Sequence, residues 1–366
     1  MNVIDLFLKL LSFESVTPDD AGSLKFIEAY LDEFEAIYVN KEGVKNLFLT
    51  KKFSEGPHLC FAGHVDVVPA GDGWQTDPFV PVIKEGKIYA RGTQDMKSGV
   101  AAFVQAVKDT EHFEGRLSIL LTSDEEGDAT YGTQIMLEHL KKIDLLPESC
   151  IVAEPTCEKV FGDAIKVGRR GSINGMIEKH GKQGHAAYPE KAKNPIHKVS
   201  QVLSSMAGVD LDEGDAYFSP SKFVITDIRA GMEVTNVTPG KLKMMFNVRN
   251  STKTSLEDVK HFVHRYFNGM DYDLTLSQSA KPFMTDANSP VVHAIDKSIQ
   301  KICGITPTHS TAGGTSDARF IAAYGIDVIE FGVINDTIHA PNECTSIKEV
   351  EELRRVFKDT ITHFNV

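Results

Sequence analysis

"HLCFAGHVDVV", residues 58–68, is apolar at consecutive positions and sets His64 and Asp66 near its end. A run of this kind reads as a strand covered on both faces, as in the parallel sheets of α/β folds. The runs "NLFLT" (46–50), "RLSILLTSDEE" (116–126) and "CIVAEP" (150–155) read the same way. Helix-period stretches accompany them, with Leu24, Ile27, Leu31 and Phe34 on one stripe and Val100, Phe103, Val104 and Val107 on another. Near the end, "SPVVHAIDKSIQKICG" and "SDARFIAAYG" predict helices, "DVIEFGV" (327–333) a strand and "SIKEVEELRRVFKDTITHF" a closing helix. The expectation is an α/β fold with a large, mixed, mostly parallel sheet.

The middle follows another order. After "GRRGS" come strand "SINGMIEKHG", helix "NPIHKVSQVLSSM", strands "KFVITDIRAG" and "KLKMMFNVRN", helix "SLEDVKHFVHRYF" and strand "YDLTLSQSA". This β-α-β-β-α-β order is that of a split βαβ, ferredoxin-like unit with an exposed sheet edge. Residues 171–285 therefore read as a domain inserted into a discontinuous α/β domain of residues 1–170 and 286–366.

At 366 residues, a large domain plus a smaller one is expected. A formal charge of −12 disfavours non-specific binding to nucleic acid or anionic lipid. The five cysteines, Cys60, Cys150, Cys157, Cys303 and Cys344, form no C-x-x-C pair, and a reducing, cytoplasmic setting is expected. "MNVIDLFLKLLSFES" has Asp5 early and no basic leader region, so it reads as an amphipathic first helix. No run is long enough to span a bilayer. The sequons at Asn236, Asn250 and Asn335 would matter only in a secreted protein.

Residues of metal-ligand type recur just past the apolar runs: His64 and Asp66, Asp95 in "RGTQDMKSG", Glu125 and Glu126, Glu154 in "AEP", and His339 in "DTIHAPNE". Singly, each has a bland reading; Asp95, ahead of "MKSGVAAF", could be a helix cap. Together they would crowd carboxylates at the strand ends of one crevice, where cations are needed to neutralise them. Imidazole and carboxylate without thiolate suit Zn²⁺, with Mn²⁺ or Co²⁺ as substitutes. Two histidines and three carboxylates suffice for two ions sharing a bridging carboxylate. No G-x-S-x-G elbow, H-E-x-x-H helix or P-loop occurs, "GDG" at 71–73 opens no Rossmann unit, and Cys60 reads as core packing. For the doublet in "TSDEEGD", strand alternation would send Glu125 and Glu126 to opposite sides.

The set "GHVDVVP", "RGTQDMKSG", "TSDEEG", "AEPT" and "IHAPNE", with "GKQGHAAYP" in the insert, resembles the dizinc amidohydrolases that include aminoacylase, acetylornithine deacetylase and glutamate carboxypeptidase. The motifs fall in order along nearly the whole chain. "GRRGSINGMIEKHGKQGHAAYPEKAKNPIHK" and "STAGGTSDARFIA" are most similar to members whose amide substrate has an anionic acyl tail. The resemblance implies His64 and Glu154 on one zinc, Glu126 and His339 on the other, and Asp95 as the bridge. It implies that Asp66 steadies His64, that Glu125 is the general base, and that His185 enters the partner subunit's site in a homodimer closed by the insert. It also implies that Arg169, Ser172, Tyr188, Asn236, Arg249, Gly314, Thr315 and Asn335 contact the substrate, a small anionic N-acyl amino acid. Alternatives are a deacetylase or dipeptidase on the same scaffold, or a metal-binding or peptide-binding module without catalysis.

Overall fold

The computed structural model describes residues 1–364 and divides into two compact units. One comprises Met1–Gly168, Thr285–Ser310 and the chain from Ser316 onward; the other comprises Arg169–Met284 with Thr311–Thr315.

The first unit is built on eight strands in the order Glu35–Tyr38, Asn46–Lys52, Arg116–Thr122, His58–His64, Ser149–Val152, Asp327–Glu330, Ala164–Lys166 and Thr308–Ser310. The four central strands, from Arg116–Thr122 to Asp327–Glu330, run parallel, and the first two strands join antiparallel. Ala164–Lys166 lies antiparallel to Asp327–Glu330 and parallel to Thr308–Ser310. The sheet is therefore mixed around a parallel centre, as the apolar runs predict. Every residue of His58–His64 is buried, which is why its apolar residues do not alternate with polar ones.

Helices Lys97–Lys108 and Ile347–His363 pack on each other, and both touch Val3–Leu11, the predicted first helix. That first helix opens with a capping box between Asn2 and Asp5. Phe61 stacks on Phe103 at 5.8 Å between centroids and meets Phe357 edge-on at 5.2 Å, locking the central strand to two helices. Thr133–Lys142 is a helix that the sequence reading passes over; it buries Met136, Leu137 and Leu140.

The strands stop earlier than the apolar runs suggest, at His64, Thr122, Val152 and Glu330. Hydrophobic character continues because the following loops are buried too, at Val65, Val67 and Ala153. Similarly, the helix Ser23–Tyr30 ends before Phe34, although Leu24 and Ile27 are buried on its inner face. Among the described residues no helix is long and apolar enough to cross a membrane.

In the second unit the β-α-β-β-α-β order gives an antiparallel sheet ordered Lys222–Ala230, Lys241–Arg249, Ser172–His180, Tyr272–Ala280. Along Lys241–Arg249 the buried residues Leu242, Met244, Phe246 and Val248 alternate with outward ones. They pack with Val199 of Pro195–Leu203 and with Val259, Val263 and Phe267 of Leu256–Phe267. Gly175 lies opposite Phe246, whose ring fills the place of a side chain: a Cβ on Gly175 would sit 2.0 Å from it. Lys222–Ala230 is an edge strand with Val224 and Ile228 exposed.

A buried histidine supplies a pH test of the first unit. His58 Nε2 and Ser118 Oγ are 2.6 Å apart, and burial, followed by the Arg116 charge, pushes the imidazole down to about 4. The unfolded chain, with this histidine near its usual ~6.5, binds more protons between these values, so stability rises with pH there and is lost as pH falls through the window. The full swing is on the order of 3 kcal/mol. His58→Gln should flatten the slope of unfolding free energy between pH 6.5 and 4.5, measured by urea denaturation; an unchanged slope would refute the assignment.

Candidate metal centre

Three parallel strands deliver side chains to one end of the first unit's sheet. His64 ends its strand, Glu125 and Glu126 follow Thr122 by a short turn, and Glu154 follows Val152. Asp95 comes from the loop before Lys97–Lys108, through a cis peptide to Met96, and His339 from the loop after Asp327–Glu330.

The Asp95 carboxylate lies between the two imidazoles. Its Oδ1 is 3.1 Å from His64 Nε2 and its Oδ2 is 3.3 Å from His339 Nε2. Glu126 Oε1 is 3.0 Å from His339 Nε2, and Glu154 Oε1 is 3.9 Å from His64 Nε2. Ligand atoms of His64, Asp95 and Glu126 all fall within 4.8 Å of one another. Two ligands about 2.0–2.2 Å from a tetrahedral ion stand about 3.3 Å apart, so most of these separations suit an ion as well as a hydrogen bond.

The charges point the same way. Burial alone would lower His64, but Asp95, Asp66 and Glu154 reverse that and hold it well above its usual range. Hydrogen bonds donated to the Asp95 and Glu126 carboxylates carry His339 to about 10. Glu154 is pushed up by burial and then by Asp95. Glu125 is likewise raised, by burial first, with Asp317, Asp95 and Glu126 adding to it against the pull of His64. Asp66 is carried by burial to about 6. Carboxylates outnumber imidazoles, and without cations the cluster must hold protons; divalent ions fit this donor set.

Asp66 serves the site with its backbone as well as its side chain. His64 Nδ1 lies 2.8 Å from the Asp66 main-chain oxygen, whereas the nearer carboxylate oxygen is 3.7 Å away. A carbonyl can only accept, so Nδ1 carries the hydrogen and Nε2 faces Asp95. The carboxylate accepts from the Glu126 backbone N–H at 3.2 Å. The acceptor that steadies His64 is thus the peptide oxygen, and the side chain tethers the next ligand turn.

The doublet also differs from the strand-end expectation. Its strand ends at Thr122, so Glu125 and Glu126 occupy a turn and pleat alternation does not separate them. Asp124 shapes that turn by accepting from Tyr131 N–H at 3.0 Å.

The remaining expected site residues are divided between the two units. Asn335 is in the first unit, donating its backbone N–H to Cys157 O at 2.9 Å. In the second unit, Arg169 is buried and donates to Ala312 O at 2.9 Å, beside the loop of Gly314 and Thr315. Ser172 Oγ accepts from Asn247 Nδ2 at 3.0 Å, and Arg249 is exposed at the end of its strand. His185 and Tyr188 are exposed with rings 5.8 Å apart, and Asn236 O accepts from Ala186 N–H. The sequence reading overlooks Arg91, Gln94 and Glu343, buried polar residues on the Asp95 and His339 loops. Their signal is position, inside "RGTQD" and "HAPNE", in which it singles out Asp95 and His339.

A family model described as Peptidase family M20/M25/M40 matches residues 60–363, and the chain belongs to that family. Over its whole length it is 84% identical to a succinyl-diaminopimelate desuccinylase of Sulfurovum sp. (strain NBC37-1), covering 99% of that relative. Among solved structures it is similar to aminopeptidase PepT from Bacillus cereus, with a TM-score of 0.82 at 20% identity, covering 100% of this chain and 98% of that one. It is also similar to the Bacillus subtilis YXEP protein, described as a dinuclear metal binding peptidase, with a TM-score of 0.72 at 14% identity over 98% and 96% of the two chains. At such identities the structural likeness shows the fold alone.

Two glycines let the chain pass close to Glu154. A Cβ on Gly332 would stand 2.3 Å from Glu154 O, and one on Gly99 would stand 2.3 Å from Ala153 O. Gly332→Ala should therefore displace Glu154 and cost about 1–3 kcal/mol by overpacking. Urea denaturation checks the stability and zinc titration the site; wild-type values in both would show that the backbone yields freely.

Proposed function

We propose that the chain is a metal-dependent amide hydrolase that cleaves N-succinyl-LL-2,6-diaminopimelate to succinate and LL-2,6-diaminopimelate, in supply of lysine and peptidoglycan precursors. The observation that carries the substrate is the full-length, 84% identity to a relative named succinyl-diaminopimelate desuccinylase. The chemistry is supported by Asp95, whose carboxylate lies between two imidazoles with more carboxylates around them. A cytoplasmic setting is in keeping with five free thiols.

In this reading His64 and Glu154 would hold one Zn²⁺, Glu126 and His339 the other, and Asp95 would serve both; Co²⁺ or Mn²⁺ could substitute. When bound, the ions supply Lewis-acid polarisation of the amide carbonyl and acidify the attacking water. Glu125 takes the proton of that water on its carboxylate and hands it to the departing amine nitrogen. A carboxylate near the ordinary ~4.3 is a weak base for this task, and the raised setting of Glu125 narrows the mismatch. Asp66 keeps the proton of His64 on Nδ1.

Arg169, Ser172, Tyr188, Asn236, Arg249, Gly314, Thr315 and Asn335 are assigned to the substrate, where arginine forks and backbone N–H groups suit its carboxylates. His185 is assigned to the tetrahedral oxyanion in the partner subunit's site. The homodimer this requires is supported by the edge strand Lys222–Ala230, whose exposed Val224 and Ile228 suit strand addition.

Chelation should abolish hydrolysis of N-succinyl-LL-2,6-diaminopimelate and added zinc restore it; turnover by thoroughly metal-free protein would sink the mechanism. Glu125→Gln should bind metal like wild type while kcat falls about 10²–10⁴-fold. Comparing kcat/KM for that substrate, acetylornithine and a dipeptide tests the acyl preference. A larger value for either competitor would move the chain to a deacetylase or dipeptidase role.

A further inference from the structure

Glu343 is fully buried, yet it is not among the candidate ligands. Its carboxylate is saturated by the segment leading into Asp95. Oε1 accepts the backbone N–H groups of Gln94 at 2.7 Å and Asp95 at 3.2 Å. Oε2 accepts the backbone N–H of Gly92 at 3.0 Å and Arg91 Nη1 at 2.7 Å.

Arg91, equally buried, carries the connection onward. It donates to the carbonyls of His339 and Ala340, each at 3.3 Å, and to Ala70 O at 3.0 Å. Its guanidinium lies over the Trp74 ring, 5.2 Å from the centroid. Gln94 adds a second link: its Nε2 donates to Cys344 O at 2.8 Å and to the Asp336 carboxylate, and its Oε1 accepts Thr337 N–H at 2.8 Å. One loop carries Asp95 and the other carries His339 in a left-handed backbone conformation, φ 58°. The two loops leave a short antiparallel ladder, Lys87–Tyr89 with Cys344–Ser346, which Ala90 N–H extends to Glu343 O at 3.2 Å; past that point the links to His339 and Ala340 described here run through the Arg91 and Gln94 side chains.

We propose that Glu343, through Arg91, is a positioning residue that sets the His339 loop against the Asp95 loop and so fixes the affinity of the metal position to which His339 belongs. The inference rests on the two-ion reading of the site. A neutral amide in place of Glu343 separates the two arms: its oxygen can still accept from Gln94 and Asp95, but its NH₂ opposes Gly92 N–H and Arg91, both donors. The Asp95 arm then survives, and the arm that reaches the His339 and Ala340 carbonyls is released. Partners of metal ligands typically alter affinity by about 10–100-fold.

The full-length chain, stripped of metal, is titrated with Zn²⁺ by calorimetry and with Co²⁺ by visible absorption. The binding step lost in His339→Ala identifies the His339 position. Glu343→Gln should weaken that step about 10–100-fold and change its cobalt spectrum, leaving the other step within about twofold of wild type. Arg91→Lys should reproduce the effect if Glu343→Gln does not fold. Val104→Ala, a core change that removes none of these hydrogen bonds, serves as a control that lowers thermal stability while leaving both steps intact. Wild-type binding in the Glu343 and Arg91 variants, or an equal fall in both steps, would overturn the proposal. A wild-type chain that takes up one ion refutes the two-ion reading instead; positioning then stands only if Glu343→Gln weakens that single step and His339→Ala abolishes it.

Discussion

Negative charge drawn to one end of a buried parallel sheet is the constraint around which the first unit is arranged. Parallel strands covered on both faces have no solvated side on which to place ionisable groups, so polar residues gather just past their ends. Here those ends bring Glu126 and Glu154 toward His64, and loops add Asp95 and His339. The carboxylates repel one another and resist burial, which raises Glu125 and Glu154, while both imidazoles are held above their usual range. Cations resolve the conflict, and the family to which the chain belongs is one of peptidases. The small-residue contacts at Gly99 and Gly332 follow from the same constraint, because the backbone around Glu154 must be approached closely to bring the ends together.

Much of this was legible in the chain. Consecutive apolar residues at 58–64 marked the covered strand, and period-2 alternation at 241–249 marked a sheet with one inner face. The order of strands and helices in the second unit could be read because each element there has its own periodicity. Strand ends were less legible, since Val65, Val67 and Ala153 are buried in loops and look no different from strand residues. The helix Thr133–Lys142 was obscured by its polar outer face, with only Met136, Leu137 and Leu140 carrying its inner stripe.

At the site, residue type revealed the ligand-like cluster, because His and acidic residues after apolar runs need an explanation. The sequence could not reveal whether Asp66 steadies His64 through its carboxylate or its carbonyl, since a backbone oxygen leaves no mark in residue identity. The turn at Glu125 and Glu126 was hidden for a related reason: where a strand ends depends on hydrogen bonding across the sheet, and alternation holds only while the ladder lasts. Arg91 and Glu343 were passed over because a buried ion pair between two loops has no periodic signature, and the partners are far apart in sequence.

The late place of His339 in the chain bears on biosynthesis. His64, Asp95, Glu126 and Glu154 are all synthesised before any of the Arg169–Met284 segment, whereas His339 and Glu343 follow it. At ~5–20 residues per second the interval lasts on the order of ten seconds or more. Through that time the nascent first unit also lacks the strand Asp327–Glu330, which completes the parallel centre, and the helix Ile347–His363, which covers it. The nascent acidic cluster therefore waits for its second imidazole until the whole Arg169–Met284 segment has been made.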